Sequence, residues 1–363
     1  MNAEAPRPAA ASIDCVHYDI TDLCNAGCPQ CPRTDPGGCR PQDWLAKHAS
    51  SLEEFRAYSP PELLAGLESA YFCGNYGDAA VVPDLIEILR YCWEANPKLK
   101  LQLHTNAGMR GRDWWGALAE AAKGKRFEVV AAIDGASQET NSLYRVRTDF
   151  ARVIGNLTAF IDKGGRAQWR MLVFRHNEHE VAKAEAMAKQ LGFVGFRAYP
   201  SNRFNGPDFR YTLGGREFVL EPPTAKVAPK VEGRHSIDRE EVTRTEAYID
   251  CEAIRKSTAY LDFEGYLLPC CYFGRRLYIH HHGGAARDDK VLAALFDEFD
   301  MERLNVARHG YAAARAAYDE FLEFLAPYWD RQEPKLCKSV CGRKRTVPAD
   351  DPASRTGDGA AGS

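Results

Sequence analysis

The stretch from Asp14 to about Pro200 alternates between short strand-like runs and longer helix-like runs about six times. One strand-like run is RFEVVAAIDG, and one helix-like run is VVPDLIEILRYCWEA, with apolar residues at helical spacing. Parallel neighbouring strands need a crossover helix, so this alternation predicts βαβ units with right-handed connections. Six units are too few to close an eight-stranded barrel. The sequence therefore predicts an α/β fold with a partial (β/α)6 TIM-like barrel that is open on one side.

Polar and glycine-rich segments follow the predicted strands of this barrel. They are the loop from Cys24 to Cys31, the loop from Gly74 to Asp78, Asn106 and Asp134. In parallel α/β folds the chemistry lies on loops after the carboxyl ends of strands. We therefore expect these segments to meet at one end of the barrel.

Three of the 12 cysteines lie within one loop, after the first predicted strand. Cys24, Cys28 and Cys31 are spaced C-x3-C-x2-C. Three thiolates can bind three irons of a [4Fe–4S] cluster and leave the fourth iron open to a small molecule. The alternative is a structural zinc ion that takes its fourth ligand from elsewhere in the chain.

Composition and charge exclude several classes of partner. The 363 residues carry a formal net charge of -3, which gives no positive surface for nucleic acid or anionic lipid. The sequence has no run of about 18 apolar residues and no secretory signal at its start. We expect a cytoplasmic protein with no nucleic-acid or membrane partner, whose clustered cysteines bind metal rather than form disulfides.

A second set of cysteines surrounds a predicted hairpin, TAYLDFEGYLLPCC. Cys251 and Cys270 flank it, and Cys337 and Cys341 follow much later. Four thiolates can complete a cluster with no open iron, or hold a zinc ion. These patterns divide the chain into a flexible N-terminus (1–13), the barrel (14–200), an irregular linker or cover (201–247), a small hairpin-and-helix cluster domain (248–346) and a disordered tail (347–363).

The C-x3-C-x2-C motif resembles the hallmark of the radical S-adenosylmethionine (SAM) superfamily. Four further segments occur in that family's order. The glycine-rich motif of the second strand is resembled by CGNYGDAAVVPDL, and the segment of the third strand by LHTNAG. The fourth strand with its helix is resembled by AIDGASQETNSLYRVRTDFARVIGNL, and the exit of the fifth strand by RHNEHEVAKAEAMAKQLGF. The later cysteines resemble the SPASM extension in its shortened "twitch" form, which implies one auxiliary [4Fe–4S] cluster.

The resemblance implies a mechanism. The open iron would bind the amino and carboxylate groups of SAM. One electron, from a donor such as flavodoxin or ferredoxin, would cleave SAM to methionine and a 5′-deoxyadenosyl radical, which abstracts a hydrogen atom from the substrate. The protein would position these groups and exclude water.

The resemblance also assigns candidate SAM contacts after the second strand. Gly74 and Gly77 would let the backbone approach the methionine part of SAM. Asp78 would accept hydrogen bonds from its ammonium group. The motif reads Gly77-Asp78-Ala79 here, where the family usually has Gly-Glu-Pro. The plainer interpretation is that both glycines only form turns.

The remaining candidate contacts follow the third and fourth strands. Asn106 and Asp134 would bind ribose or substrate polar groups, and Arg147, or else Arg145, would pair with the SAM carboxylate. Asp134 could instead cap the next helix, and Arg147 could be a solvated charge. Gln30 stands before the third cysteine, where the family usually has an aromatic residue.

The resemblance implies an oxidoreductase- or epimerase-type enzyme. We expect it to act on a small carbohydrate-like or natural-product substrate. A radical SAM enzyme that modifies ribosomal peptides is the alternative within the enzyme class. A non-catalytic zinc-binding interaction protein is the alternative from another class.

Overall fold

The computed structural model describes residues 12–344, except for positions 36, 202, 205, 225–246 and 284–289. The expected flexible N-terminus lies outside the described residues apart from positions 12 and 13. The expected tail lies entirely outside them, as does most of the second half of the expected linker.

The central sheet has eight strands. Six of them lie side by side in chain order and run parallel. They are β1 (Cys15–Asp19), β2 (Ser69–Phe72), β3 (Lys100–Thr105), β4 (Phe127–Ala132), β5 (Ala167–Val173) and β6 (Gly195–Pro200). This arrangement confirms the predicted α/β fold with a partial barrel, because six parallel strands in sequential order are wound by helical crossovers.

Helices connect the strands and cover one face of the sheet. They are α1 (Leu52–Tyr58), α2 (Pro61–Ala65), α3 (Leu85–Ala95), α4 (Arg112–Ala121), α5 (Gln138–Tyr144), α6 (Phe150–Asp162) and α7 (Val181–Gln190). Side chains cap three of these helices: the Ser51 hydroxyl caps α1, the Ser137 hydroxyl caps α5 and the Asp149 carboxylate caps α6. Their buried apolar sides join one large core with the sheet.

Alternation along the strands separates two faces of the sheet. Apolar residues such as Tyr18, Phe72 and Trp169 point into the core beneath the helices. The residues between them are mostly polar and include His17 and Arg170. This second set forms the inner face of the barrel, so the barrel has a polar interior beside an apolar outer layer.

The predicted C-terminal hairpin is present and extends the barrel sheet. β10 (Thr258–Asp262) pairs parallel with β1, with Cys15 opposite Thr258 and Asp19 opposite Asp262. β11 (Leu267–Leu268) returns antiparallel, through a turn in which Gly265 has a φ of 93°. Glycine adopts this backbone conformation without the steric cost that a Cβ would bring.

Helices of the C-terminal part pack on this extension. They are α8 (Glu252–Arg255), α9 (Cys271–His282), α10 (Lys290–Glu298), α11 (Val306–His309), α12 (Tyr311–Asp330) and α13 (Lys335–Cys341). A short antiparallel pair, β9 (Ala247–Ile249) and β12 (Gly342–Lys344), joins the two ends of this part.

The prediction of irregular chain throughout 201–247 was wrong for part of it. An antiparallel hairpin of β7 (Phe209–Leu213) and β8 (Arg216–Leu220) lies there. Its two turn residues, Gly214 and Gly215, both have positive φ, as a tight two-residue hairpin turn requires.

Candidate active site

The loop that carries the first three cysteines leaves the carboxyl end of β1. Asp22 anchors it, because the backbone N–H groups of Lys47 and His48 donate to the Asp22 carboxylate at 2.8 and 2.7 Å. The Tyr278 hydroxyl of α9 donates to the same carboxylate at 2.8 Å. Farther along, the Thr34 hydroxyl donates to the backbone carbonyl of Cys28 at 2.9 Å. The loop is therefore held at both ends.

Two of the cysteine sulfurs of this loop, those of Cys24 and Cys28, accept hydrogen bonds. The backbone N–H of Ala26 donates to Cys24 Sγ at 3.4 Å, and Asn106 Nδ2 donates to the same sulfur at 3.5 Å. Arg145 Nη1 donates to Cys28 Sγ at 3.7 Å. Burial raises the pKa of the Cys28 thiol to about 11, and the Arg145 charge opposes that rise. Such donors stabilise thiolates over thiols once the sulfurs bind metal.

The three thiols also influence one another, since the neighbouring sulfurs raise the pKa of Cys24 in addition to burial. Within the described residues, no three His, Cys, Asp or Glu side chains converge closely enough to hold a single metal ion. A cubane cluster does not need that convergence, because each cysteine binds a different iron. Three neighbouring thiols, two of which accept N–H donors, fit the donor set of an iron–sulfur cluster.

Asp78 lies next to this loop and is 5% exposed. Its Oδ1 accepts from the backbone N–H of Ala80 at 3.0 Å. Its Oδ2 accepts from the Thr105 hydroxyl at 3.0 Å, and from the backbone N–H and Nδ2 of Asn106 at 2.8 and 2.7 Å. Four donors already use this carboxylate, so it fixes the end of β3 instead of facing into an open site.

Asn106 links three neighbouring loops. Its Nδ2 group donates to Cys24 Sγ, to Asn25 Oδ1 at 3.0 Å and to Asp78, while its Oδ1 accepts from the backbone N–H of Gly108 at 2.8 Å. A residue predicted at the end of the third strand thus lies directly beside the first cysteine.

The two glycines of the second loop are required by close backbone contacts. A Cβ on Gly77 would lie 2.0 Å from the Thr21 carbonyl oxygen, and a Cβ on Gly74 would lie 2.4 Å from the Gly77 carbonyl oxygen. The backbone N–H of Asp78 also donates to the carbonyl of Leu23 at 2.8 Å. The glycines thus allow the second loop to pack against the chain that enters the cysteine loop.

The fourth strand ends at a buried ion pair. Asp134 is fully buried, and its Oδ2 accepts from Arg145 Nε at 2.6 Å while its Oδ1 accepts from the backbone N–H of Leu172 at 2.6 Å. Burial raises the pKa of Asp134, and the Arg145 charge opposes that rise. Arg147 is exposed, with a φ of 66°, so the structure places Arg145 rather than Arg147 beside the cysteines.

Gln30 connects the cysteine loop to the chain after β6. Its Nε2 donates to the carbonyl of Arg203 at 2.8 Å, and its Oε1 accepts from the Ser201 hydroxyl at 3.4 Å. This link joins the chain segments that follow β1 and β6. Its sequence signal was only the unusual residue type before Cys31.

The later four cysteines also come together. Cys251 and Cys270 directly precede α8 and α9. Asp250 donates its backbone N–H to the Cys341 carbonyl at 3.0 Å, beside the pairing of β9 with β12. Burial of the sulfur raises the pKa of Cys337, and the thiols of Cys270, Cys251 and Cys341 raise it further. These four half-buried cysteines therefore lie near one another.

No protein-family model and no curated protein matches this sequence. Among solved structures, SuiB of Streptococcus suis matches with a TM-score of 0.51 at 14% identity, over 72% of this chain and 61% of SuiB. SuiB bound to S-adenosylmethionine matches with the same values. A structure of anSMEcpe with bound AdoMet and a Cp18Cys peptide matches with a TM-score of 0.46 at 15% identity, over 88% of this chain and 98% of that one.

The SuiB match confirms the resemblance at the level of the fold: this chain has the fold of the radical SAM enzymes. It spans about 61% of the length of SuiB. No helix among the described residues is both long and apolar enough to cross a lipid bilayer.

Proposed function

We propose that this chain is a radical SAM enzyme in which Cys24, Cys28 and Cys31 hold a [4Fe–4S] cluster that binds SAM. When bound, the cluster and SAM supply the 5′-deoxyadenosyl radical that abstracts a hydrogen atom from the substrate. The observation that carries this proposal is the cysteine loop after the first strand of this fold, in which the sulfurs of Cys24 and Cys28 receive N–H donors.

The surrounding side chains would organise this site from a distance. Asp78 holds Asn106 in place, and Asn106 donates to Cys24. Arg145 is oriented by Asp134 and donates to Cys28. We propose that Asn106 and Arg145 stabilise the metal-bound thiolates, because each donates an N–H group to a cysteine sulfur.

We further propose that Cys251, Cys270, Cys337 and Cys341 hold one auxiliary [4Fe–4S] cluster. The proximity of the four thiols supports this assignment, since Cys270, Cys251 and Cys341 all act electrostatically on the Cys337 thiol. A cluster with four cysteine ligands has no open iron and suits electron transfer.

We propose that the substrate is a small polar molecule, carbohydrate-like or a natural-product intermediate, that is oxidised or epimerised. The polar inner face of the barrel supports this choice, as does a second cluster able to accept an electron from a substrate radical. A flavodoxin or ferredoxin would supply the first electron. Modification of a peptide is the alternative outcome of substrate tests.

Anaerobic reconstitution with iron and sulfide tests the first cluster. We expect a brown protein that forms 5′-deoxyadenosine from SAM in the presence of dithionite. Cys24→Ala should abolish this product, whereas Cys15→Ala, at the opposite end of β1, should retain it. A colourless protein with stoichiometric zinc would instead indicate the non-catalytic alternative.

Iron content tests the auxiliary cluster separately. Cys337→Ala should lose about four irons per chain, the content of one cubane, and should keep the spectroscopic signal of the SAM-binding cluster. Unchanged iron in this variant would contradict the auxiliary assignment and leave the SAM-binding site untouched.

A further inference from the structure

The inner face of the barrel carries a continuous wall of polar aromatic rings. The ring of Tyr260 on β10 lies 5.1 Å from that of His17 on β1, His17 stacks at 4.5 Å on Tyr71 of β2, and Tyr71 lies 5.5 Å from His104 of β3. Four neighbouring strands thus contribute one ring each. Such a wall forms a shaped surface, since aromatic rings have few rotamers and pack in fixed arrangements.

Three polar atoms at this face are buried without a hydrogen-bond partner among the described residues. They are Asp19 Oδ1, His104 Nε2 and Arg170 Nε. Asp19 is only 2% exposed. A buried polar atom without a partner costs free energy, and a charged group costs more. Such groups in one interior are expected to meet their partners on a bound molecule.

Arg170 brings a positive charge to this face, and no ion pair among the described residues neutralises it. No salt bridge to Arg170 occurs in the described part of the chain, and its cross-strand neighbour on β6 is Arg197, another cation. Two acidic residues on and after the neighbouring strand β4 are engaged elsewhere, since Asp134 pairs with Arg145 and Glu128 accepts from Gln168. Like charges on directly opposite residues repel each other.

The histidines do not add charge there. Burial lowers the pKa of His17 to about 4 and that of His104 to about 3, with the Arg170 charge lowering the latter further. At neutral pH the wall is therefore uncharged, and Arg170 is the cation beside it.

This surface lies directly below the loop proposed to contact SAM. His17 Nε2 contacts the carbonyl of Cys73, and Asp19 Oδ2 accepts from the backbone N–H of Asn75 at 2.8 Å. Cys73 and Asn75 flank Gly74. The charges of both Asp19 and Arg170 act on the Cys73 thiol.

We propose that the substrate binds against this inner face as a small anion, with its carboxylate or phosphate group at Arg170 and a hydroxyl or amino group donating to Asp19. Guanidinium groups bind such oxyanions through paired N–H donors. His104 Nε2 completes the anion contact as a neutral N–H donor. This inference rests on the proposed function for the identity of the ligand as substrate, but not for the anion site itself.

Calorimetry at constant ionic strength tests the site with two probes, succinate and inorganic phosphate, on the reconstituted protein with SAM. We expect measurable binding of at least one probe. Arg170→Gln should weaken it about tenfold or more, as the loss of a charge-assisted pair implies, and Arg170→Lys should weaken it less. The matched control is Arg90→Gln, on the exposed outer side of α3, which should bind as the wild type does.

Equal affinity in wild type and Arg170→Gln, or no binding of either probe to wild type, would overturn the inference. If Arg170→Gln does not fold, crystals of the wild type soaked in selenate decide, since an anomalous peak beside Arg170 supports the site and its absence there refutes it. The same preparations are assayed for 5′-deoxyadenosine. Product without anion binding removes this inference alone, whereas anion binding without product removes the proposed function alone.

Discussion

Asp19 provides a test of the polar barrel interior that needs no substrate. It ends β1, and its Oδ2 accepts from the Tyr260 hydroxyl at 2.9 Å as well as from Asn75. Burial raises the pKa of this carboxyl group to about 7. An aspartate in an unfolded chain has a pKa of about 3.9. Between these two values the folded protein holds a proton that the unfolded chain has released.

The sign of the effect follows from this difference. Because the folded state binds more protons, the contribution of Asp19 to the free energy of unfolding falls as pH rises from about 4 to about 7. It is then constant at higher pH. The Asp19→Asn variant cannot titrate at this position, so its free energy of unfolding relative to wild type should increase as pH rises through the same window. Between pH 5 and pH 8 the gain should be about 2–3 kcal/mol, from about two pH units at 1.36 kcal/mol each.

Urea unfolding of the full chain at pH 5, 6, 7 and 8, followed by tryptophan fluorescence, measures this difference. His17 and His104 titrate in both proteins and cancel in the comparison. A pH-independent difference between Asp19→Asn and wild type would refute the claim that the barrel interior holds a costly buried carboxylate.

Three other substitutions test local packing, two of them near the cysteine loop and one within α4. Gly77→Ala should destabilise the fold by about 2–4 kcal/mol, because its Cβ would meet the Thr21 backbone and displace the loop. Gly116→Ala should instead stabilise the fold by about 1 kcal/mol, since it lies within α4 and its Cβ would meet no atom closer than 3.8 Å. Asp134→Asn should cost about 3 kcal/mol, because it leaves the Arg145 charge without its buried partner. Denaturation midpoints measure all three.

Each of these substitutions tests a different contact, so each result is interpreted by itself. Wild-type stability in Gly77→Ala would mean that the second loop can move away from the cysteine loop. Unchanged stability in Asp134→Asn would mean that Arg145 finds another acceptor.

Local patterns predicted the barrel because each strand and helix carries its own signal. The predicted strand ends placed Asn106 and Asp134 correctly at one end of the sheet, since parallel strands in chain order bring these ends together. The assignment of the later four cysteines to one cluster, which the resemblance implies, stays a prediction.

Contacts between distant segments could not be predicted in this way. The Asp78 carboxylate binds Asn106 only because the loop after β3 approaches it. Arg145 rather than Arg147 faces the cysteines because of the turn between α5 and α6. The β7–β8 hairpin did carry a local signal, a Gly214-Gly215 pair between alternating residues, which the surrounding prolines and charges obscured. The hairpin at Gly265 was predicted, but its partner strand was not.

The parallel pairing of β10 with β1 also governs how the two cysteine groups stand relative to each other. β1 leads into the first group, and β10 lies in the chain between Cys251 and Cys270 of the second. The register of β1 and β10 therefore fixes where the chain between Cys251 and Cys270 lies relative to the first cysteine loop. Neither strand can shift along the other without breaking backbone hydrogen bonds of the barrel. A chain cut before residue 248 would leave β1 as a bare sheet edge and would be prone to aggregate. The barrel and its C-terminal extension would then have to be inherited, engineered and folded as one unit.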